Sequence, residues 1–93
     1  MTKLEKVLDR VDADLDNALE RLKRTLRMKS ISTDPAYAPA VRECAQWHAA
    51  DLAGIGFEAT VRDTPGHPMV VGHHGADRGM STLFYGHYDV QPV

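Results

Sequence analysis

Apolar residues recur along the first third of the chain with the spacing of an amphipathic helix. Between residues 3 and 28 they follow one another at alternating gaps of four and three positions, without a glycine or proline between them. Acidic residues dominate the first half of this span and basic residues its last turns, which suits the helix dipole. The pattern predicts one long helix. Its apolar stripe contains Leu4, Leu8, Val11, Leu15, Ala18 and Leu22, widened by Val7, Leu19 and Leu26.

The predicted helix is longer than the core that a chain of this size can form. It would extend roughly 38 Å, whereas a compact globule of 93 residues has a diameter of only about 30 Å. We therefore expect part of the stripe to contact another surface, and we expect the chain to self-associate. A short coiled-coil dimer is the alternative interpretation of this pattern. Interspersed acids disfavour a nucleic-acid-binding role for the basic end.

A second helix is predicted after a proline-containing linker at residues 30–39. Asp34 before Pro35 resembles a helix cap followed by a first-turn proline, and the helix is expected over about residues 36–54. Gly56 is a suitable left-handed stop, with Phe57 folding back toward Leu52 as a Schellman ending requires.

Beyond Gly56 the apolar period changes to two. Residues 57–62, 68–72 and 81–85 are predicted strands, separated by turns at 63–66 and 75–79. The last strand is a continuous apolar run, typical of strands buried on both faces of a sheet. Two helices followed by three short strands indicate an α/β fold. These elements cannot cover both faces of the last strand, so we expect residues 1–93 to be the first part of a larger domain.

Composition and charge exclude several function classes. The formal net charge is −2 and the isoelectric point is near 6.2, which argues against nucleic-acid binding. No apolar run approaches the length that a membrane-spanning helix needs, and residues 1–10 lack the apolar core expected of a signal peptide. Cys44 is the only cysteine, so it forms no disulfide within the chain and suits a reducing compartment. We expect a cytoplasmic protein that binds neither nucleic acid nor membrane.

All five histidines lie in residues 30–93, and His87 is the candidate for metal chemistry. It is followed two positions later by Asp89, and residues at this spacing in an extended chain share one face. The carboxylate can accept the ring N–H that faces away from a metal and so fix the tautomer. The bare His-x-Asp pattern is common by chance and favours a metal site only weakly. The histidines expected to be structural or solvent-facing are His48, His67, His73 and His74.

Residues 83–92, which read Leu-Phe-Tyr-Gly-His-Tyr-Asp-Val-Gln-Pro, closely resemble the first metal-binding motif of the M20 metallopeptidase family. Residues 31–35, 52–57 and 64–68 resemble further segments of that family in the same order. Tyr88 and the Gln91-Pro92 pair are more similar to the carnosinase-like dipeptidase branch than to the deacylase branch.

The resemblance implies a zinc dipeptidase that hydrolyses the amide bond of small peptides. It implies that residues 1–93 are the amino-terminal segment of a three-layer α/β/α catalytic domain, without the smaller lid and dimerisation domain. His87 would be a ligand of one of two zinc ions, and Asp89 would be the catalytic carboxylate that orients it. The other ligands and the general base would lie beyond this sequence, so the 93-residue chain is expected to be inactive. The alternatives are an N-acyl amino acid deacylase of the same family and a non-enzymatic α/β dimerisation module.

Overall fold

The computed structural model describes residues 1–75 and 79–93, and it has a mixed α/β architecture. The α/β class predicted from the sequence is confirmed, although the number of strands is not. The elements in chain order are α1 (Lys3–Ala13), α2 (Leu15–Arg27), a 3₁₀ turn (Pro35–Tyr37), α3 (Ala38–Gly54), β1 (Glu58–Arg62) and β2 (Met69–His73).

The prediction of one uninterrupted helix over residues 3–28 is wrong, because two helices meet at Asp14. This residue has φ −99° and ψ 5°, outside the helical region. Its carboxylate accepts a hydrogen bond from the Asn17 side-chain amide at 3.1 Å and lies 3.6 Å from the Arg21 guanidinium. Neither contact involves a backbone group, and the Asp14 side chain makes no capping hydrogen bond to α2. Hydrogen bonds of helical spacing still span the junction, since Asp14 N donates to Arg10 O and Ala18 N donates to Asp14 O.

The predicted cap of the second helix, Asp34, is confirmed, but the α-helix begins two residues later than predicted. Asp34 Oδ1 accepts a hydrogen bond from Ala36 N at 2.9 Å. The residues that follow the cap form the 3₁₀ turn Pro35–Tyr37, so the α-helix itself begins at Ala38. A proline in the first turn permits this tighter start because it has no N–H to leave unpaired.

The predicted Schellman ending of α3 is confirmed. Gly56 has φ 101°, a left-handed conformation that favours glycine. Its N–H donates to Ala53 O at 3.1 Å, and the Phe57 N–H donates to Leu52 O at 3.1 Å. These two hydrogen bonds define the motif. The chain therefore reverses at Gly56 and enters β1 directly.

β1 and β2 form a two-stranded antiparallel sheet, in which Ala59 lies opposite Gly72 and Val61 opposite Val70. Side chains alternate between exposed and half-buried along β1, as the period of two predicts. Helix α3 packs on this sheet. A Cβ atom at Gly72 would lie 3.3 Å from Leu52 Cδ1, so the missing side chain permits the close approach of the helix. Among the described residues, those that are buried are Ser30, Val41, Cys44, Ala45 and Pro68.

The third strand predicted for residues 81–85 is absent from the described part of the chain. Leu83, Phe84 and Tyr85 are exposed rather than buried. An apolar strand requires backbone partners beside it and packed layers on its faces, and within residues 1–75 and 79–93 the sheet consists of β1 and β2 only. Of the predicted turn at 75–79, residues 76–78 lie outside the described residues, while Gly75 and Gly79 have positive φ angles.

Much of the apolar surface is accessible to solvent. Neither α1 nor α2 has a buried residue. The accessible surface is 7892 Å², whereas a compact monomer of this mass exposes roughly 5,300 Å². The radius of gyration is 15.7 Å, against about 12 Å for a compact domain of this length. Within the described residues, every helix is too short or too polar to span a bilayer.

The left-handed conformation of Gly56 leads to a stability prediction. Gly56→Ala should lower the free energy of unfolding by about 1–2 kcal/mol, because an L-residue is strained at this φ angle. Gly54→Ala is the matched control: it lies within α3, and an added Cβ meets nothing within 4 Å. It should stabilise the chain by up to about 1 kcal/mol. Urea unfolding followed by circular dichroism measures both changes, and equal effects of the two variants would contradict the assignment.

The exposed apolar stripe of α1 and α2 leads to a prediction about assembly. We expect light scattering to give a concentration-dependent mass above the 10.3 kDa monomer, because uncovered leucines favour association. Replacing Leu15 and Leu22 by Glu should shift the mass toward the monomer. Lys23→Glu, which places the same acid outside the stripe, serves as the control. A concentration-independent monomer mass for the unmodified chain would contradict the prediction.

Candidate functional site

The segment that carries the His-x-Asp motif is held by the chain just after α2. Residues 30–32 run parallel to residues 88–90, and Ile31 forms a β-bridge with Val90. Val90 N donates to Ser30 O at 2.9 Å, and Ser32 N donates to Val90 O at 3.3 Å. The buried Ser30 hydroxyl donates to Tyr88 O at 2.8 Å. The region that the sequence indicates as a linker is thus the backbone partner of the candidate site.

Tyr88 anchors the same segment to the helix–sheet unit. Its hydroxyl donates a hydrogen bond to Pro68 O, just before β2. Its ring lies 6.0 Å from the His48 ring of α3, measured between centroids. Burial raises the pKa of the Tyr88 phenol above its usual value, so the group stays protonated and remains a hydrogen-bond donor at neutral pH.

His87 and Asp89 lie together on one side of the backbone. His87 Nδ1 is 3.1 Å from Asp89 Oδ1, and the other carboxylate oxygen, Oδ2, accepts a hydrogen bond from Ser32 Oγ at 2.7 Å. The Ser32 hydrogen bond, followed by that of His87, lowers the pKa of Asp89. The carboxyl group is therefore an anion near neutral pH and accepts both hydrogen bonds.

The hydrogen bonds of His87 select one tautomer of its neutral ring. A carboxylate only accepts, so Nδ1 carries the proton and Nε2 carries the lone pair of the ring. The Tyr85 hydroxyl lies 3.1 Å from Nε2 and donates to it. The His87 side chain is 71% exposed, so the ring as a whole is accessible from solvent. This is the form in which an imidazole binds a metal ion.

The predicted position of the motif at the tip of a buried strand is wrong in this structure. Residues 81–87 have no strand structure, and the bridge at Val90 follows the motif instead of preceding it. The motif is positioned by its hydrogen bonds to residues 30–32 and to Pro68. The two side chains meet because an i, i+2 pair in extended backbone shares a face.

The structure does not bring the other histidines to His87 as a ligand cluster. His67 Nε2 donates to Ser32 O at 2.7 Å, and the His48 ring packs at right angles against Trp47. His73 lies at the end of β2, and His74 packs against Phe57. Among the residues that the structure describes, no group of three metal-ligating side chains is present. The described residues therefore do not complete a catalytic zinc site, which normally has three protein ligands.

A cleft of about 430 Å³ lies beside His87, between α3, the start of β2 and residues 84–88. Apolar side chains form most of its wall, and His48, His87 and Tyr88 contribute polar groups. A depression of similar size on α2, about 440 Å³, is lined by charged and amide side chains and contains no histidine. The cleft at His87 is the better candidate for a ligand because it adjoins the exposed imidazole.

Sequence reasoning missed the contribution of Ser30 and Ser32. Composition indicates a linker for both residues, since serine, threonine and proline are frequent in loops. Their partners lie more than fifty positions away along the chain, as the separations of 58 and 57 residues show. The resemblance of residues 31–35 to the M20 family is a signal for Ser32 and does not include Ser30.

The partial burial of His48 leads to a pH prediction. Burial lowers its pKa from the usual value of 6.5, with Asp51 opposing the shift. In a proton NMR titration we expect its midpoint below about 6.5 in the folded chain and near that value in urea. As pH falls through this range the unfolded chain binds the proton first, so the free energy of unfolding decreases. A folded midpoint above the unfolded one would contradict this.

Comparisons with known proteins relate the chain to metallodipeptidases. It is 31% identical over 101 residues to "Cys-Gly metallodipeptidase dug1" of Schizosaccharomyces pombe. It is also 31% identical over 104 residues to "Cys-Gly metallodipeptidase DUG1" of Candida albicans. No protein-family model and no solved structure matches the chain. The alignments include 97% of this chain and 21% of each relative. The chain is therefore similar over nearly its whole length to metallodipeptidases, of whose own length it spans about a fifth.

Proposed function

We propose that this chain supplies a metal-binding histidine and its orienting carboxylate to a zinc dipeptidase of the M20 type. The observation that carries the proposal is the hydrogen bond of 3.1 Å between His87 Nδ1 and Asp89 Oδ1. The similarity to metallodipeptidases supports the reaction class. The substrate is a small peptide. We also propose a cytoplasmic location, with which the free, buried thiol of Cys44 is compatible.

The residues of this chain prepare one position in such a site. His87 Nε2 would bind the metal, while Asp89 keeps the proton on Nδ1 and raises the basicity of the ring. A bound zinc ion supplies Lewis acidity, which polarises an amide carbonyl and lowers the pKa of a water. The cleft beside His87 provides an apolar wall against which a small peptide can lie.

One imidazole is insufficient to hold the ion tightly. A catalytic zinc site normally has three protein ligands and one open position. We expect calorimetric titration of the 93-residue chain with zinc chloride to show no one-to-one site at micromolar concentration. We also expect no dipeptide hydrolysis that follows the protein through a sizing column. A tight stoichiometric zinc site would contradict this prediction.

The proposed roles of His87 and Asp89 can be tested in a full-length protein that contains this chain. His87→Ala should reduce kcat/KM for dipeptides to background and lower the zinc content. Asp89→Asn keeps the shape but loses the charge, and should lower activity by roughly 10–100-fold. His73→Ala is the matched control, since this histidine lies at the end of β2 and is exposed. Full activity of His87→Ala would refute the proposal.

A non-enzymatic dimerisation module is the second candidate, favoured by the exposed apolar stripe on α1 and α2. The coding sequence after Val93 distinguishes the enzyme from the module. Further acidic metal ligands encoded there would favour the enzyme, and a natural stop codon would favour the module. Within the enzyme proposal, the deacylase alternative is tested by comparing Cys-Gly and Xaa-His dipeptides with N-acetyl amino acids as substrates of the full-length protein.

A further inference from the structure

We infer that Ser32 is a positioning residue for His87, acting through Asp89, and that His67 holds Ser32 in place. The effect of Ser32 on catalysis rests on the proposed function, whereas its effect on the His87 tautomer follows from the hydrogen bonds alone. The Ser32 hydroxyl is 2.7 Å from Asp89 Oδ2, and the opposite oxygen of that carboxylate faces His87 Nδ1. Ser32 therefore fixes the rotation of the carboxylate that selects the His87 tautomer.

The direction of each hydrogen bond follows from the chemistry of its acceptor. An ionised carboxylate accepts only, so both the Ser32 hydroxyl and His87 Nδ1 must donate to Asp89. The Tyr85 hydroxyl then donates to His87 Nε2. With Asp89 tethered at both oxygens, its plane cannot rotate without breaking one hydrogen bond. The lone pair therefore stays on Nε2, where it accepts the hydrogen bond of the Tyr85 hydroxyl, and a metal ion would bind there by displacing that hydroxyl.

The backbone of Ser32 is itself held from two directions. Its N–H donates to Val90 O at 3.3 Å, and its carbonyl accepts from His67 Nε2 at 2.7 Å. Because a carbonyl only accepts, the proton of neutral His67 resides on Nε2. His67 thus uses Nε2 to brace Ser32, and this nitrogen is not available to a metal ion.

His67 is in turn fixed by the turn that precedes β2. The Thr64 hydroxyl donates to His67 O at 2.6 Å and accepts from Gly66 N at 3.0 Å. The side chain that braces Ser32 therefore projects from an ordered turn. The hydrogen-bonded series runs from Thr64 through His67, Ser32 and Asp89 to His87, and it connects segments that are distant in the sequence.

The test measures the His87 tautomer in the 93-residue chain by long-range proton–nitrogen NMR near pH 9, where imidazoles are neutral. In the unmodified chain we expect the proton on Nδ1. Ser32→Val should shift His87 toward the Nε2–H form. Ser32→Thr introduces a side chain of the same shape as valine but keeps the hydroxyl, so it should retain the original tautomer. His67→Ala should shift it in the same direction, and His67→Gln, which keeps a donor, should restore it. Ser81→Ala, an exposed serine, is the control.

Two outcomes overturn the inference: an unchanged His87 tautomer in Ser32→Val, or a Ser32→Thr variant that behaves like Ser32→Val. Amide spectra that match the unmodified chain establish that the variants are folded. If Ser32→Val does not fold, the His67→Ala and His67→Gln pair decides, and identical His87 tautomers in that pair overturn the inference.

The full-length protein separates this inference from the proposed function. There Ser32→Val should lower zinc affinity and kcat by roughly 10–100-fold while changing KM little, with Ser32→Thr retaining both. A tautomer shift in the 93-residue chain together with a full-length protein that hydrolyses no dipeptide would refute the function and leave the positioning role. Dipeptidase activity that Ser32→Val does not affect would refute the catalytic role of Ser32 alone.

Discussion

The parallel pairing of residues 30–32 with residues 88–90 is the interaction on which the candidate site depends. It joins a segment after the second helix to a segment near position 90 through two backbone hydrogen bonds and the buried Ser30 hydroxyl. Without it, the His-x-Asp motif would belong to an exposed stretch that lacks regular structure. Closing so long a loop has an entropic cost, and the hydrogen bond from the buried Ser30 hydroxyl to Tyr88 O offsets part of it.

The chain has one packed unit, formed by α3 and the two strands, and two apolar surfaces that remain exposed. Helix α3 packs on β1 and β2, and the core is small. The apolar stripe of α1 and α2 and the side chains of Leu83 and Phe84 remain in contact with solvent. Apolar area of this kind favours burial at about 25 cal/mol per Å². These surfaces are therefore where further protein can pack, and the relatives of this chain are about five times as long, since it covers 21% of them.

The candidate site orients one imidazole, that of His87, and its described residues do not form a group of three metal-ligating side chains. Asp89 holds the proton of His87 on Nδ1, and its own charge is maintained by the hydrogen bonds from Ser32 and His87, which lower its pKa. A small fold can orient a side chain in this way, because two direct hydrogen bonds to one carboxylate are sufficient and no large cavity is needed. A closed metal site requires several ligands converging from separate elements, and such convergence depends on tertiary structure on a larger scale.

The sequence alone determined the features that depend on near neighbours along the chain. The Asp34 cap, the Schellman ending at Gly56 and the alternation in β1 are local, and the i, i+2 geometry brings His87 to Asp89 wherever the backbone is extended. Tertiary structure decided the rest. The break at Asp14 is an exception, since the contacts of its side chain with Asn17 and Arg21 are local, and hydrophobic periodicity does not mark it. The run at 81–85 is not a strand because strands require partners that local sequence does not specify. The role of Ser32 depends on a contact across 57 positions, and hydrophobic periodicity contains no information about such a contact.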